Sequence, residues 1–424
     1  MKKDVFPSVL NGRVAAPGSK SIAQRLAAVA LLSEGESIIH HYPESDDCVV
    51  AMEVVKALGA VVEKSGNRTS IKGGFPFNDS SRIRNPKSIL HCGESGLASR
   101  MFTPIASLYS EQITIQGSGS LITRPFTEYD RVLPLLGAQC QTTNGLLPLI
   151  VDGPLRGGKV ELDGSLSSQF LTGLLLALPL AQNDSELIVL NLKSKPYVQM
   201  TLEIMAKSGI EVRNENFQRF CIKGNQRYRS LDMEVPGDWS GAAFLLVAGA
   251  LCAENGITIE NLNRDITQAD SRILEALTLA GVSFQIQKNE VTVHQSEIKW
   301  FDFDATECPD LMPPLVALAA FADGVSTIKG AKRLVHKESN RAKALMEEFA
   351  KSSVRVVMRD DELKVYPSPV RKAILNSHND HRIAMAAAML GLAGDRTTVA
   401  GAECVAKSFP DYFEKLIELG AHIR

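Results

Sequence analysis

Six copies of one local pattern run along the sequence: an apolar helical stretch ends at a small residue and leads into a short stretch with strand character. In the second copy Tyr129, Val132, Leu133 and Leu136 lie at three- and four-residue spacing, which is one face of a helix. Glycine suits the left-handed residue that closes a helix, and the alternation that follows predicts a half-buried strand. The closing residues, spaced by 78, 72, 72, 72 and 67 positions, are Gly59, Gly137, Gly209, Gly281, Ser353 and Gly420. A fixed period indicates one copied supersecondary unit, so the chain is predicted to contain six α/β units.

Composition restricts the function classes. The 424 residues exceed one typical core and predict at least two domains. A net charge of −2 provides no basic field for nucleic acid or an anionic membrane. The apolar runs at 244–253 and 313–322 are shorter than the roughly 20 residues of a membrane span and predict buried helices. Seven cysteines without a Cys-x-x-Cys pair, and a start without a signal-peptide hydrophobic region, predict a reduced cytoplasmic protein.

Two Pro-Gly turns supply the evidence for domain boundaries. Pro17-Gly18 follows a short first strand, and Pro236-Gly237 lies near the middle of the chain. Three repeats lie between the turns and three follow the second. We therefore expect one domain over 18–237 and another formed by 1–17 with 238–424, each of three repeats.

Polar motifs stand at several predicted helix starts. Lys20 and Ser21, with the N–H groups of a helix start, make a potential anion site, and Arg25 lies one turn further on. Residues 164–171 place three serines and Gln169 ahead of an apolar helix, and residues 92–100 form a glycine-bracketed helix start around Gly96. Taken singly, each motif is also compatible with an ordinary turn or helix cap.

The C-terminal half adds carboxylates. Asp310 precedes an apolar run and is compatible with a simple helix cap, and residues 337–341 mix both charges as a salt-bridged helix start would. Residues 379–382 and 406–412 open two more predicted helices. His378 and His381 are not paired with cysteines at metal-ligand spacing, so a metal site is not predicted.

As an ordered set these motifs are specific. PGSKS at 17–21, GSLSSQFLTGLL at 164–175, SKPY at 194–197, KES-x-R at 337–341, NDHR at 379–382 and AKSFPDYF at 406–413 resemble the 5-enolpyruvylshikimate-3-phosphate (EPSP) synthases, a transferase family. The resemblance covers essentially the whole chain. It implies an α/β fold of two domains, each of three βαβαββ units in the inside-out barrel of the enolpyruvyl transferases. It also implies an active site in the cleft between the domains.

The resemblance further implies transfer of the enolpyruvyl group of phosphoenolpyruvate to the 5-hydroxyl of 3-phosphoshikimate, in the shikimate pathway to aromatic amino acids. The catalytic candidates are Asp310, Glu338 and Lys20. The positions matching 3-phosphoshikimate ligands are Lys20, Ser21, Arg25, Ser167, Ser168, Gln169, Ser194, Tyr197, Asp310 and Lys337. Those matching phosphoenolpyruvate ligands are Lys20, Gly96, Arg124, Gln169, Glu338, Arg341, His381, Arg382 and Lys407. We expect no metal or organic cofactor, no nucleic-acid or membrane partner, and a monomer.

Several positions depart from the family pattern. Glu94 and Leu97 stand where Asn and Thr are usual, and Met101 stands where Pro is frequent; further along, Arg333 replaces a frequent Asn and Asn340 an Asp. A carboxylate at 94 is expected to oppose phosphoenolpyruvate unless a cation such as Arg100 pairs with it. Glyphosate competes with phosphoenolpyruvate in this family, and the altered loop predicts weaker inhibition.

Two alternatives stay open at the level of sequence. A sister enolpyruvyl transferase with another hydroxyl acceptor would keep Lys20, Arg124, Asp310, Glu338 and Arg382, although the serines at 167 and 168 and the Ser194–Tyr197 motif argue against it. A non-catalytic anion-binding homologue would be expected to lose Asp310 or Glu338, and both are present.

Overall fold

The computed structural model describes residues 1–73, 86–335 and 337–424. The described chain forms two compact units, Gly18–Val235, and Met1–Pro17 together with Pro236–Arg424. Ahead of the first division lie strands β1 (Lys2–Val5) and β2 (Gly12–Ala15).

The unit Gly18–Val235 contains six described α-helices and fourteen described strands. Its helices are α1 (Lys20–Leu32), α2 (Asp46–Ala57), α3 (Gly96–Ala106), α4 (Thr127–Leu135), α5 (Ser168–Ala177) and α6 (Lys195–Lys207), with 3-10 helices at Gly119–Thr123 and Leu178–Leu180. Its strands are β3 (Ser33–Glu34), β4 (Glu36–His40), β5 (Val61–Ser65), β6 (Arg68–Lys72), β7 (Ile89–His91), β8 (Gln112–Gln116), β9 (Gln139–Thr143), β10 (Leu146–Asp152), β11 (Lys159–Asp163), β12 (Ser185–Leu190), β13 (Val212–Glu215), β14 (Arg219–Ile222), β15 (Tyr228–Arg229) and β16 (Asp232–Glu234).

The segment from Pro236 to Arg424 completes the other unit. Its helices are α7 (Trp239–Cys252), α8 (Ile273–Leu279), α9 (Met312–Ala319), α10 (Arg341–Lys351), α11 (His381–Ala393) and α12 (Tyr412–Glu418), with 3-10 helices at Ala269–Arg272, Pro309–Leu311, Ala331–Leu334 and Ala402–Lys407. Its strands are β17 (Ile257–Glu260), β18 (Phe284–Gln287), β19 (Glu290–Val293), β20 (Asp302–Asp304), β21 (Ser326–Lys329), β22 (Arg355–Arg359), β23 (Glu362–Tyr366), β24 (Ala373–Asn376) and β25 (Thr397–Ala400).

The sheets repeat one path. In the order β7-β8-β10-β9 the first two strands are parallel and joined through α3, and the other neighbours are antiparallel. The orders β11-β12-β14-β13 and β20-β21-β23-β22 follow the same path. Two further sheets, β16-β4-β6-β5 and β18-β19-β17-β2, each take their outer parallel strand from a distant part of the chain. The sequence-based prediction of copied βαβαββ units is confirmed.

The six closing residues all have positive φ, as the repeat predicts: Gly59 (103°), Gly137 (94°), Gly209 (82°), Gly281 (73°), Ser353 (71°) and Gly420 (102°). A positive φ is costly for a residue with a Cβ atom, so Ser353 is the strained copy.

The strands that follow the closing residues depart from the sequence-based prediction in two ways. Strands β5 and β18 are exposed at all but one residue rather than half-buried, and both lie at the edge of their sheet. After Gly420 no strand forms, and Ile423 makes only an isolated bridge with Val5. The reason is topological: β1, from the start of the chain, pairs antiparallel with β25 and takes the place of a last hairpin strand.

The longest apolar runs are core helices. Helix α7 is buried along almost its full length and α9 along all of it, which confirms the prediction for residues 244–253 and most of that for 313–322. Within the described ranges no helix is long and apolar enough to cross a bilayer.

Candidate active site

The start of α1 holds a lysine and a buried arginine. Lys20 Nζ lies 2.9 Å from Asp47 Oδ2, and both side chains are 14% exposed. Arg25 is 1% exposed; its Nε donates to Thr201 Oγ1 (2.8 Å) and its Nη1 to the carbonyl of Ser21 (2.8 Å). Burial lowers the pKa of Arg25 to about 10. Arg25 therefore ties α1 to α6, while Lys20 lies nearer the surface.

Gly96 begins α3 and lies against the guanidinium of Arg124. A Cβ atom at Gly96 would come within 2.8 Å of Arg124 Nη1, so only glycine leaves that space open. Arg100 donates from Nη1 to Gln169 Oε1 at 2.9 Å, and its guanidinium lies over the ring of Phe126. These contacts bring together Gly96, Arg124 and Gln169, three residues whose sequence separation gave no indication of contact.

The serines of the motifs at 164–175 and 194–197 lie at helix starts. Ser167 caps α5 by accepting from the N–H of Gln169 (3.2 Å), and Ser168 is buried in the first turn. Ser194 precedes α6 in the left-handed region with φ 57°. Tyr197 lies in the first turn of α6, so the Ser194–Tyr197 motif forms a helix start rather than an open loop.

A cluster of carboxylates and guanidinium groups forms in the other unit. Arg341 is 1% exposed and donates to Asp380 Oδ2 from Nε (2.8 Å), to Asp310 Oδ1 from Nη1 (2.8 Å), and to Glu338 from Nη2. Arg382 Nη2 lies 3.2 Å from the second oxygen of Asp310. We call Asp310, Lys337, Glu338, Arg341, Asp380 and Arg382 the acid–base cluster.

Lys337 completes the contacts of Asp310, since its Nζ lies 3.3 Å from Oδ1. Asp310 therefore contacts three cations, and a simple helix cap is the wrong interpretation of this residue. The last member, Asp380, caps α11 through the N–H of Arg382 at 3.0 Å.

Protonation in the cluster follows from burial and pairing. Burial alone would raise the pKa of Asp310, but Arg382, Lys337 and Arg341 outweigh it and hold the pKa well below its usual range. Burial lowers the pKa of Lys337. The neighbouring Asp270 is pushed the other way: burial and the charge of Asp310 raise its pKa to about 6.

Two further predicted residues lie beside this cluster. His381 is 1% exposed at the start of α11. Lys407, which ends the 3-10 helix Ala402–Lys407, donates to the carbonyl of Asn379 at 2.7 Å. The backbone of Asn379 thereby links Lys407 to the loop that carries Asp380.

Two acidic partners were absent from the predicted site. Asp47 lies in the first turn of α2 and Asp380 caps α11, and each pairs with a predicted cationic residue. The available signal was the position of both residues at a helix start, where carboxylates are favoured. That position does not indicate which lysine or arginine each carboxylate pairs with. Among the described residues, no group of three His, Cys, Asp or Glu side chains could hold a metal ion.

The departures from the family pattern find local partners. Asn340 caps α10 by accepting from the N–H of Lys343 (3.1 Å), a role that aspartate also fills. Arg333 donates to the carbonyl of Thr306 (2.6 Å). Glu94 accepts from the N–H and the hydroxyl of Ser120 at 3.3 and 3.4 Å.

Comparison with known proteins gives consistent matches. The family model described as EPSP synthase (3-phosphoshikimate 1-carboxyvinyltransferase) matches residues 6–416. A 3-phosphoshikimate 1-carboxyvinyltransferase of Clostridium kluyveri is 38% identical, covering 99% of this chain and 97% of the relative. One of Methanosarcina acetivorans is 35% identical over 100% and 99%.

Solved structures share the fold. EPSP synthase from Acinetobacter baumannii superposes with a TM-score of 0.83 at 24% identity, covering 100% of this chain and 99% of the other. The enolpyruvyl transferase NikO from Streptomyces tendae superposes with a TM-score of 0.78 at 20% identity, covering 100% and 98%.

Proposed function

The chain belongs to the EPSP synthase family, and we propose that it transfers the enolpyruvyl group of phosphoenolpyruvate to the 5-hydroxyl of 3-phosphoshikimate, releasing phosphate in the shikimate pathway. The observation that carries this is the match over nearly the whole length, both to the family model and to relatives named for this reaction. The sister-transferase and non-catalytic alternatives are not favoured.

Substrate charge accounts for the residues we assign. Both substrates carry a phosphate and a carboxylate, so binding them together requires several cations with hydrogen-bond geometry suited to oxyanions. We assign 3-phosphoshikimate binding to Lys20, Ser21, Arg25, Ser167, Ser168, Gln169, Ser194, Tyr197, Asp310 and Lys337. We assign phosphoenolpyruvate binding to Lys20, Gly96, Arg124, Gln169, Glu338, Arg341, His381, Arg382 and Lys407. The burial of Arg25 supports a role mainly in holding the neighbouring binding groups.

The reaction needs a base near the acceptor hydroxyl and an acid near the methylene carbon. The hydroxyl oxygen bonds to C2 of phosphoenolpyruvate while C3 takes up a proton; the bond from C2 to the phosphate oxygen then breaks, phosphate leaves, and C3 loses a proton. We assign to Asp310 the role of the base that accepts the hydroxyl proton, and to Glu338 the role of the acid that supplies the proton to C3. Lys20, paired with Asp47 in this structure, balances the phosphate that leaves.

Three contacts with cations make Asp310 a weak base in the state described here. Substrate oxyanions that engage Arg341 and Arg382 would weaken those contacts and raise the basicity of Asp310. Substrate binding itself thus prepares the base.

We further propose that the enzyme acts in the cytoplasm as a monomer, without nucleic acid. Seven free cysteines support a reducing compartment, and a net charge of −2 supports the absence of a polyanionic partner.

A phosphate-release assay tests the proposed function. We expect phosphate from phosphoenolpyruvate only when 3-phosphoshikimate is present, with shikimate that lacks the 3-phosphate as the matched acceptor control. Equal release with an unrelated hydroxyl acceptor would identify a sister transferase, and no release with any acceptor would identify a non-catalytic protein.

A further inference from the structure

The loop before α3 contacts the 3-10 helix Gly119–Thr123 through the side chain of Glu94. Glu94 Oε2 lies 3.3 Å from the amide nitrogen and 3.4 Å from the hydroxyl oxygen of Ser120. A Cβ atom at Gly119 would lie 2.3 Å from Glu94 Cδ, so the carboxyl group packs directly on that glycine. The N–H of Ser118 also donates to the carbonyl of Gly93 at 2.7 Å. Loop and 3-10 helix are therefore held together at two points.

The same serine contacts Arg124. Arg124 Nη2 donates to Ser120 Oγ at 2.9 Å, while Nη1 faces the space above Gly96. Arg124 is 7% exposed, so its guanidinium has little freedom to move. A continuous chain of contacts thus leads from Glu94 through Ser120 to Arg124.

We propose that Glu94 is a positioning residue that orients the Arg124 guanidinium for phosphoenolpyruvate through the hydroxyl of Ser120. The inference rests on the proposed role of Arg124 in binding that substrate. It reverses the interpretation drawn from sequence, in which the charge of Glu94 opposes the substrate.

The direction of the hydroxyl proton explains how the chain of contacts works. A serine hydroxyl has one proton to donate and lone pairs to accept with. The carboxylate accepts that proton, so the lone pairs of Ser120 face Arg124 and hold one edge of its guanidinium. A guanidinium held on one edge presents the other edge in a fixed plane, which is the geometry that bidentate binding of an oxyanion requires. Removing Glu94 frees the hydroxyl to rotate and loosens Arg124.

The test is a double-mutant cycle on Glu94→Ala and Ser120→Ala, with steady-state kinetics on both substrates. We expect each single variant to raise KM for phosphoenolpyruvate by about fivefold, the scale of one lost hydrogen bond, with kcat and KM for 3-phosphoshikimate changed less than about twofold. Because both residues act through one chain, the double variant should match the single variants.

Two further variants distinguish a positioning role of Glu94 from a general disturbance of the local structure. Glu94→Gln keeps an oxygen that accepts from Ser120, so its KM should stay within about twofold of the wild type. Thr123→Ala removes a hydroxyl of the same 3-10 helix that donates to the Ser120 carbonyl rather than to Arg124, and should change neither KM.

Three results would overturn the inference. The first is tighter phosphoenolpyruvate binding in Glu94→Ala, which charge repulsion predicts. The second is a double variant whose increase in KM equals the product of the two single increases. The third is an equal increase in KM for both substrates. Failure of the proposed function is separate, because it appears as absent turnover in the wild type. If the wild type shows no turnover, equilibrium dialysis with radiolabelled phosphoenolpyruvate gives the dissociation constant for each protein of the cycle. A constant that is unchanged in both single variants overturns the inference.

Discussion

Replacing Asp270 by asparagine should change how the stability of its unit depends on pH. Asp270 is buried in the 3-10 helix Ala269–Arg272, and its pKa is raised from 3.8 to about 6 by burial and by the charge of Asp310, against the opposing effect of Arg382. A carboxyl group with a raised folded-state pKa binds its proton more tightly when folded. Its contribution to stability is complete below about pH 4 and is lost as the pH rises through about 6.

The size of the effect follows from this shift. The rise of the Asp270 pKa from 3.8 to about 6 corresponds to about 3 kcal/mol of stability over the full titration. Between about pH 5 and pH 7.5 the wild type should lose about 1.4 kcal/mol that the asparagine variant does not lose. Asp310 stays ionised over this range because its pKa is well below the usual value, so it cancels in the comparison.

The chain offers a selective probe for the measurement. Its two tryptophans, Trp239 and Trp300, both lie in the unit that contains Asp270. Urea unfolding followed by tryptophan fluorescence therefore reports on that unit, at both pH values and for both proteins. The exposed Asp302 on β20 provides the matched control, and Asp302→Asn should show the wild-type pH dependence. A difference between Asp270→Asn and wild type that is equal at the two pH values would refute the reasoning.

Three more predictions concern catalysis, the repeat and the altered loop. Asp310→Asn and Glu338→Gln should each lower kcat by about 10²-fold or more, the scale of a lost acid or base, while calorimetry still detects 3-phosphoshikimate binding; near-normal turnover would remove the assignment. Ser353→Gly should stabilise its unit by about 0.5–1 kcal/mol in urea unfolding, because relief of the left-handed strain exceeds the entropic cost of glycine, whereas Gly281→Ser should destabilise it. Glyphosate should inhibit weakly relative to phosphoenolpyruvate binding, because Leu97 and Met101 are buried in the helix that Gly96 begins; if Leu97→Thr with Met101→Pro leaves the ratio of the inhibition constant to KM unchanged, that helix is not the determinant.

The sequence was sufficient to predict the repeating architecture because one backbone requirement recurs. A left-handed residue must close each helix before the chain turns back, and glycine meets this requirement at five of the six positions. The exposure of β5 and β18 and the missing sixth strand could not be predicted in this way. Edge position and the pairing of β1 with β25 depend on which distant strands meet, and local periodicity does not encode this.

The candidate site was predictable only as a set of motifs. Asp310 and Arg341 each belong to a recognisable motif, but the contact between them joins residues 31 positions apart and depends on how α10 lies beside the 3-10 helix Pro309–Leu311. Glu94 shows the limit more clearly. Its charge was evident from the sequence, but the direction of its side chain was not, and that direction changes the expected effect from repulsion to support.

The acid–base cluster carries three cations, Lys337, Arg341 and Arg382, and three carboxylates, Asp310, Glu338 and Asp380. If all six are charged, the cluster is neutral before any substrate arrives. An anionic substrate then cannot simply add to it, because the total would become strongly negative in a poorly solvated place. Under the proposed assignment, the substrate replaces carboxylates as the partner of the guanidinium groups, and the released carboxylates then favour protonation. Asp380 is fully buried and also caps α11, so it is the carboxylate least able to give up its guanidinium partner. Asp310 and Glu338 remain, and these are the two groups to which the proposed mechanism assigns the transferred protons.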